Sequence, residues 1–391
     1  MKKISRRACL KRIAIASAVS AFPWPFQVRP ALALEHEPIV EATEQELAAI
    51  SAIAQQFMTQ FHVPGFSVSY ALRGNFVYRG AFGFADKAKD EKVTPDHLFR
   101  IASTTKPITS VAIFSLIEKG RLQLDAPVFG EGGLLGFDYA RSYSERVKQI
   151  TLTHLLNHTS GGWEKGRGDP MFLNPKMNHK ELITWTLAHQ PLKNPPGTLY
   201  GYSNFGYCLL GRIIEKITGR SYPDFVKEQV LGKCGVHEMR LAGNTLAERA
   251  RSEVVYYGQQ NQNPYNINVR RMDSHGGWVA SPTDLVEFLM HVDGSSAPTS
   301  ILAADTWKTM TTPTPANPGY ACGWCVNKAH NYWHNGSLAG TTTIAVRTAR
   351  ELCWAGFANT RTDGMDSGLD QVMWKISHVV PAWLTNGRRD N

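Results

Sequence analysis

Long apolar runs, internal repeats and low-complexity tracts are missing from this chain of 391 residues. Its first apolar run, at residues 13–22, is too short to cross a bilayer as a stable helix. Motifs of nucleic-acid binders are absent as well, as are the basic stripes with stacking aromatic residues that such proteins use. We therefore expect no stable membrane span and no nucleic-acid partner. The composition, 43% hydrophobic and 10% aromatic, instead predicts a globular chain with a large core.

Acidic residues are missing from the first 33 positions, which contain seven lysines and arginines. Without them the formal net charge of +9 falls to near +2, so most of the basic character belongs to this segment. A basic start, the short apolar run and small residues at 31 and 33 predict a cleavable export signal over residues 1–33. Residues 5–11 resemble a twin-arginine signal with Cys9 at the usual aromatic position, and a general secretory signal is the alternative. Either signal predicts a bacterial protein that is periplasmic or secreted.

Cysteines are few, and five remain once Cys9 leaves with the signal. An odd number means that at least one thiol is free or pairs outside the chain. Cys322 and Cys325 form a C-x-x-C, but no helix follows it to lower a thiol pKa, which argues against redox chemistry. A disulfide from this strand-like segment to Cys353 on the next strand is the other possibility.

Strand-like patterns occur near both ends of the chain, and helical patterns dominate the middle. This order predicts one sheet built from both chain ends and carrying an inserted helical lobe. We expect an α/β domain from residues 34–128 and 300–391 and a mostly helical lobe from residues 129–299.

One S-x-x-K stands at the start of a long apolar segment of helical character. Ser103 and Lys106 would lie one turn apart on one helix face, so the ammonium group could reach the hydroxyl. The helix N-terminus adds positive potential that favours an oxyanion on the serine. Ordinary helix capping, with Pro107 just inside the helix, would explain the same residues without catalysis.

Two further segments contain residues that acyl transfer requires. Tyr202 and Asn204 are two residues apart in an extended loop and could face one cavity, where Tyr202 would transfer a proton and Asn204 would hold the lysine or the substrate. A turn tyrosine with an asparagine cap is the simpler interpretation.

The third segment contains His334, Asn335, Gly336 and Ser337 on a strand edge. Gly336 would let a substrate carbonyl approach the backbone, and the N–H groups of Ser103 and Ser337 would form an oxyanion hole. His334 would supply a polar, partly cationic neighbour, or would be an ordinary solvent-facing histidine.

The order S-x-x-K, Y-x-N and H-x-G resembles the penicillin-recognising serine hydrolases: class C β-lactamases, DD-peptidases and related esterases and amidases. Similar phrases at residues 155–161 and 276–278 extend the resemblance over most of the mature chain. The resemblance implies a β-lactamase/transpeptidase-like fold of the α/β plus α class. In that fold an antiparallel sheet is flanked by helices, and the active site lies between it and an inserted all-α lobe.

The resemblance also implies the roles of individual residues. Ser103 would be the acylated nucleophile, Lys106 and Tyr202 would share the proton transfers, and Asn204 would orient the lysine. The backbone N–H groups of Ser103 and Ser337 would bind the oxyanion. Whether Lys106 or Tyr202 is the general base stays open.

The third motif departs from the family pattern, because His334-Asn335 stands where β-lactamases and DD-peptidases have Lys-Thr. Histidine is mostly neutral near pH 7 and would anchor a substrate carboxylate weakly. We therefore expect a serine hydrolase acting through an acyl-enzyme on a small-molecule or peptide ester or amide. A DD-carboxypeptidase or β-lactamase acting on cell-wall peptide or penicillins is one alternative. A non-catalytic homologue that binds the cell wall or a partner is another.

We expect neither a metal nor another cofactor. His154 and His158 have the i, i+4 spacing of metal-binding helices, but the glutamate of H-E-x-x-H and a third ligand are lacking.

Overall fold

The computed structural model describes residues 41–166, 168–295 and 298–385, and the predicted export signal at residues 1–33 and Cys9 lie outside them. The α-helices are α1 (Glu44–Gln60), α2 (Thr105–Glu118), α3 (Glu145–Lys148), α4 (Leu152–Leu156), α5 (His179–His189), α6 (Asn204–Thr218), α7 (Tyr222–Val226), α8 (Pro282–Met290), α9 (Ala304–Thr311) and α10 (Met365–Val379). The strands are β1 (Gly65–Leu72), β2 (Asn75–Asp86), β3 (Glu91–Lys92), β4 (Phe99–Arg100), β5 (Arg240–Leu241), β6 (Tyr257–Gly258), β7 (Trp278–Ala280), β8 (Cys325–Val326), β9 (Tyr332–Leu338), β10 (Thr341–Arg347), β11 (Leu352–Ala358) and β12 (Thr360–Arg361). Among the described residues, none of these helices is both long and apolar enough to cross a membrane.

The main sheet has seven strands in the order β3-β2-β1-β11-β10-β9-β8, with antiparallel neighbours throughout. Its two halves come from opposite ends of the chain and meet at β1 and β11, where Phe66 pairs with Ala358 and Leu72 with Leu352. The predicted sheet from both chain ends, with antiparallel strands and flanking helices, is therefore confirmed.

Both faces of the sheet are covered, which explains why every residue of β11 is buried. Alternate side chains of a strand point to opposite faces. Trp354 accordingly packs in the core formed with α1 and α10, whereas Ala355 and Phe357 belong to the core that includes α2, α6 and α8.

Helix α2 is buried nearly all round, from Thr105 to Leu116. A helix that is apolar on every side must be enclosed by other elements. It contacts α6 and α7 of the helical region, α9, and β9 of the sheet. Its first turn is therefore held where these layers meet.

The middle of the chain, residues 129–299, contains α3 to α8 and the short strands β5, β6 and β7. Helix α8 packs against β1 and β11 and so contributes to the layer on the main sheet. The division into an α/β domain and a helical lobe at residues 129–299 stays a prediction.

The cysteines are all free among the described residues, so the suggested disulfide to Cys353 is not formed. Cys325 lies on β8 and Cys353 on β11, and β9 and β10 separate these strands. Three strand spacings amount to about 14 Å, beyond the reach of a disulfide. Burial raises the pKa of both Cys322 and Cys325 to about 12, so neither thiol ionises readily.

Candidate active site

Ser103 lies in a 3-10 turn, Ala102–Thr104, between β4 and α2. Ala102 and Thr104 are buried while Ser103 is partly exposed, so the turn presents the serine hydroxyl to solvent. Ala102 has a φ of +47°, a left-handed conformation that is strained for a residue with a Cβ. Strain at the residue preceding a candidate nucleophile persists only where the surroundings hold the turn firmly.

Hydrogen bonds from two sheets hold this turn. The N–H of Ile101 donates to the carbonyl of Trp278 on β7 at 2.9 Å, and the Thr343 hydroxyl on β10 donates to the carbonyl of Ile101 at 2.8 Å. Gly336 on β9 packs directly against the turn, because a Cβ there would lie 2.1 Å from the Ile101 carbonyl oxygen. The glycine thus allows close contact between β9 and the segment that leads to Ser103.

Lys106 is buried, and its ammonium group donates three hydrogen bonds. The acceptors are Ser103 Oγ at 3.1 Å, Asn204 Oδ1 at 2.8 Å and the His275 carbonyl at 2.9 Å. Burial lowers the pKa of Lys106 well below its ordinary range, and the negative charge of Asp169 partly opposes this shift. Three donors are satisfied by three acceptors in the charged form, and loss of one proton leaves a lone pair that can face the serine hydroxyl.

Tyr202 lies beside both Ser103 and Lys106. The Ser103 hydroxyl is close enough to the phenol to act on its pKa, and Lys106 Nζ lies 4.8 Å from the centre of the ring. Burial raises the pKa of Tyr202 well above its ordinary value, and the nearby Ser103 hydroxyl only partly offsets this effect. The surroundings therefore favour a neutral phenol, just as they favour a neutral amine at Lys106.

Asn204 connects Lys106 to a buried carboxylate. It is the first residue of α6, and its amide nitrogen donates to Asp169 Oδ2 at 2.8 Å while its oxygen accepts from Lys106. Asp169 Oδ1 accepts from the N–H of Met171 at 3.0 Å, which caps a short 3-10 turn. Burial raises the pKa of Asp169, while the bonds from Asn204 and Met171 favour the carboxylate.

His334 is buried on β9 and hydrogen bonded through both ring nitrogens. Nδ1 lies 2.7 Å from the carbonyl of Asn335, and Nε2 lies 3.1 Å from the hydroxyl of Tyr320. Burial and the charge of Lys106 lower the pKa of His334 to about 3, so the ring is neutral near pH 7. It is neither partly cationic nor solvent-facing, in contrast to both expectations from the sequence.

The donor and the acceptor can be assigned for each hydrogen bond in the series that links His158 to His334. His158 Nδ1 accepts from the N–H of Ser203 at 3.1 Å, so in the neutral ring Nε2 carries the proton and donates to Tyr320 at 3.1 Å. Tyr320 then donates to His334 Nε2, and His334 Nδ1 donates to the Asn335 carbonyl. We call His158, Tyr320 and His334 the histidine cluster.

The three residues that follow His334 on β9 do not all face Ser103. Alternation along β9 points Asn335 to the face opposite His334, where it lines a cavity with Trp333, Asp366 and Trp374. The structure therefore does not bring the Asn335 side chain to Ser103, and only its carbonyl contributes through His334. Gly336 faces the turn before Ser103, and the main chain of Ser337 follows it on the same strand.

The histidines of the rejected metal motif have separate structural partners. His154 Nδ1 accepts from the N–H of Thr151 at 3.1 Å and helps to cap α4, whereas His158 belongs to the histidine cluster. In the described part of the chain, no group of three or more His, Cys, Asp or Glu side chains could hold a metal ion.

Asp169 and Tyr320 are the site residues that the sequence did not reveal. Asp169 precedes a proline, a pattern that indicates only a cap. Tyr320 lies in a turn-rich segment between α9 and β8, with no motif around it. Long-range packing brings both to the site.

Most of the chain is similar in sequence to known proteins. A sequence model of the beta-lactamase family matches residues 50–375. Penicillin-binding protein 4 of Amycolatopsis lactamdurans is 28% identical to this chain over 313 residues, which cover 72% of the chain and 77% of that protein. Penicillin-binding protein 4* of Bacillus subtilis is 34% identical over 181 residues, which cover 44% of the chain and only 37% of that protein.

Among solved structures, the D-amino acid amidase of Ochrobactrum anthropi SV3 complexed with L-phenylalanine amide has the same fold. The TM-score is 0.70 at 22% sequence identity, and the match covers 88% of this chain and all of that one. A penicillin-binding protein homologue from Pyrococcus abyssi gives a TM-score of 0.68 at 22% identity, covering 87% of this chain and 80% of that one.

Proposed function

The chain belongs to the beta-lactamase family and is a serine hydrolase, and we propose that it opens an ester or amide bond by acylation of Ser103. The observation that carries this proposal is the hydrogen bond from Lys106 Nζ to Ser103 Oγ, made by a buried lysine that Asn204 and the His275 carbonyl hold in place. A lysine that only capped a helix would need none of these partners.

Lys106 is the general base in this proposal. Transfer of the Ser103 proton to a neutral Lys106 leaves the serine oxygen free to bond the substrate carbonyl carbon. The alternative, in which a tyrosinate takes the proton, requires an ionised phenol beside Lys106. Burial raises the pKa of Tyr202 and lowers that of Lys106, so both shifts favour the lysine as the base.

Tyr202 conducts the proton to the leaving group. When the tetrahedral intermediate collapses, the bond to the leaving oxygen or nitrogen breaks and that atom takes the phenolic proton. Tyr202 recovers its proton from the Lys106 ammonium group, which lies beside the ring. Water then attacks the acyl-enzyme by the same steps in reverse, and Ser103 is regenerated.

The N–H groups of Ser103 and Ser337 form the oxyanion hole in this mechanism. Gly336 supports their arrangement, because its close contact with the Ile101 carbonyl sets the distance between β9 and the nucleophile turn. Asn204 and Asp169 act as positioning residues through Lys106.

For the substrate we propose an ester or amide of a small molecule or peptide. The penicillin-binding proteins and the D-amino acid amidase named above support an amide or a related acyl group.

We also propose the two-domain division at residues 34–128 and 300–391 against 129–299, and bacterial export to the periplasm or medium by a twin-arginine signal at residues 1–33. The basic, acid-free composition of those 33 residues supports the export proposal.

Labelling with a fluorophosphonate tests the nucleophile. We expect intact-protein mass spectrometry to show one adduct per chain, located by peptide mapping on Ser103 and absent from Ser103→Ala. Ser142→Ala, which changes an exposed serine, is the matched control and should label as the wild type does. Labelling of Ser103→Ala at the wild-type rate would exclude Ser103 as the nucleophile.

A further inference from the structure

The histidine of the third motif leaves the site without the cation that the family pattern has at that position. His334 is buried and neutral, and its two ring nitrogens are already occupied by Tyr320 and the Asn335 carbonyl. A substrate carboxylate would gain neither a charge nor a free donor from this ring. If the substrate is anionic, the binding charge must come from another residue.

Lys165 is an exposed cation at the same site. Its Nζ lies 5.9 Å from the centre of the Tyr202 ring, on a loop whose main chain is tied to the active site. The N–H of Lys165 donates to the carbonyl of Tyr202 at 2.6 Å, and Asp169, four residues later, accepts from Asn204. The loop that holds Lys165 is thus attached at two points to the residues around Lys106.

Lys165 does not form an ion pair with a neighbouring acid among the described residues. Its sequence neighbour Glu164 pairs with Lys193 at 3.5 Å, and Asp169 is turned inward to Asn204 and Met171. No carboxylate lies within ion-pair distance of Lys165 in residues 41–166, 168–295 and 298–385, although its charge influences Asp366 at the start of α10.

Of the described residues, Lys106 and Lys165 are the cations whose charges lower the pKa of His334, which places Lys165 within electrostatic range of the third motif. Lys106 is buried and donates its three hydrogen bonds to Ser103, Asn204 and the His275 carbonyl, whereas Lys165 is exposed to solvent. Only the second lysine has a free ammonium group to offer a ligand.

We propose that Lys165 binds a carboxylate of the substrate and so takes the anchoring role that the neutral His334 does not fill. The proposal rests on the hydrolase function proposed above and makes Lys165 a determinant of specificity. With Lys165 as the anchor the site can bind anionic substrates, whereas the His334-Asn335 sequence alone favoured uncharged ones.

A pair of butyryl esters, one with a carboxylate and one without, provides the test. 4-(Butyryloxy)benzoate has a carboxylate, and its methyl ester has none, while the butyryl ester bond is the same in both. We expect Lys165→Gln to raise KM for the carboxylate about three- to fivefold relative to KM for the methyl ester, as removal of an exposed ion pair does. Lys165→Arg should keep the wild-type ratio, and added salt should weaken carboxylate binding in the wild type alone.

Lys180→Gln, which removes an exposed lysine from α5, is the matched control and should keep the wild-type ratio. Calorimetric titration of Ser103→Ala and of the Ser103→Ala, Lys165→Gln double variant with the two esters makes the same comparison by binding alone, so it decides the role of Lys165 separately from the rate of hydrolysis. An unchanged ratio of the two affinities in Lys165→Gln would overturn the proposal, and an absence of Ser103-dependent hydrolysis would overturn only the proposed function.

Discussion

Two buried polar clusters contact Tyr202, and burial has opposite consequences for function in them. Lys106 with Asn204 and Asp169 forms one, and the histidine cluster forms the other. Lys106 Nζ lies 4.8 Å from the Tyr202 ring centre, and the ring of His158 lies 4.3 Å away on the histidine side. In both clusters burial disfavours the charged form and lowers the pKa of the basic group.

The difference lies in what neutrality permits. A neutral Lys106 can accept the proton of Ser103, so the cost of burying an amine yields a base. A neutral His334 has each nitrogen fixed by a partner, and so it can position β9 but cannot attract an anion. In the proposed mechanism the same physical effect thus creates a catalytic group in one cluster and removes an electrostatic anchor from the other.

The largest expected effect comes from removing the base. Lys106→Met keeps the length of the side chain but cannot accept a proton, and we expect kcat/KM for 4-nitrophenyl butyrate to fall about 10³-fold. Lys119→Met at the far end of α2 is the matched control and should stay within about twofold, since surface substitutions have small effects. Activity of Lys106→Met within about tenfold of the wild type would mean that another group is the base.

A smaller effect should follow from changing the charge near the base. The Asp169 carboxylate raises the pKa of Lys106, so Asp169→Asn lowers that pKa further and keeps the amine neutral at lower pH. The rising limb of kcat/KM against pH should therefore move to lower pH, with a plateau reduced about tenfold because the amine is a weaker base. Asp138→Asn, an acid paired with Lys216 on the surface, should leave the limb in place. A limb that moves to higher pH would contradict the assignment.

The smallest effect is expected in the histidine cluster and should appear mainly in stability. Tyr320→Phe leaves a ring nitrogen of His158 and one of His334 without a partner, so we expect the free energy of unfolding to fall by about 2 kcal/mol. Tyr332→Phe, whose hydroxyl has no hydrogen bond among the described residues, should change it by less than about 0.5 kcal/mol. Urea denaturation of both variants measures the difference, and equal stabilities would argue against the chain of bonds through Tyr320.

The sequence predicted what local geometry determines. Helical spacing predicted that Lys106 reaches Ser103, and the structure has them 3.1 Å apart. The i, i+2 spacing of Tyr202 and Asn204 predicted a shared cavity, and both side chains contact the Ser103–Lys106 pair. Strand alternation could also have separated Asn335 from His334, since neighbouring residues on a strand point to opposite faces.

Features that depend on the arrangement of distant segments were beyond the sequence. The disulfide to Cys353 that the sequence left possible is not formed, because β9 and β10 lie between the strands of Cys325 and Cys353. Asp169 and Tyr320 reach the site from loops, and the neutrality of His334 results from burial by surrounding elements. Tertiary packing therefore determined both the position of Lys106, the proposed base, and the neutrality of His334.

The rate of Ser103 acylation by a fluorophosphonate as a function of pH, followed by intact-protein mass spectrometry, tests the central claim most directly. If buried Lys106 is the base, the wild type will show a rising limb with a midpoint well below the ordinary lysine range. That limb will persist in Tyr202→Phe and disappear in Lys106→Met. A limb that disappears in Tyr202→Phe but persists in Lys106→Met would contradict the account and make Tyr202 the base.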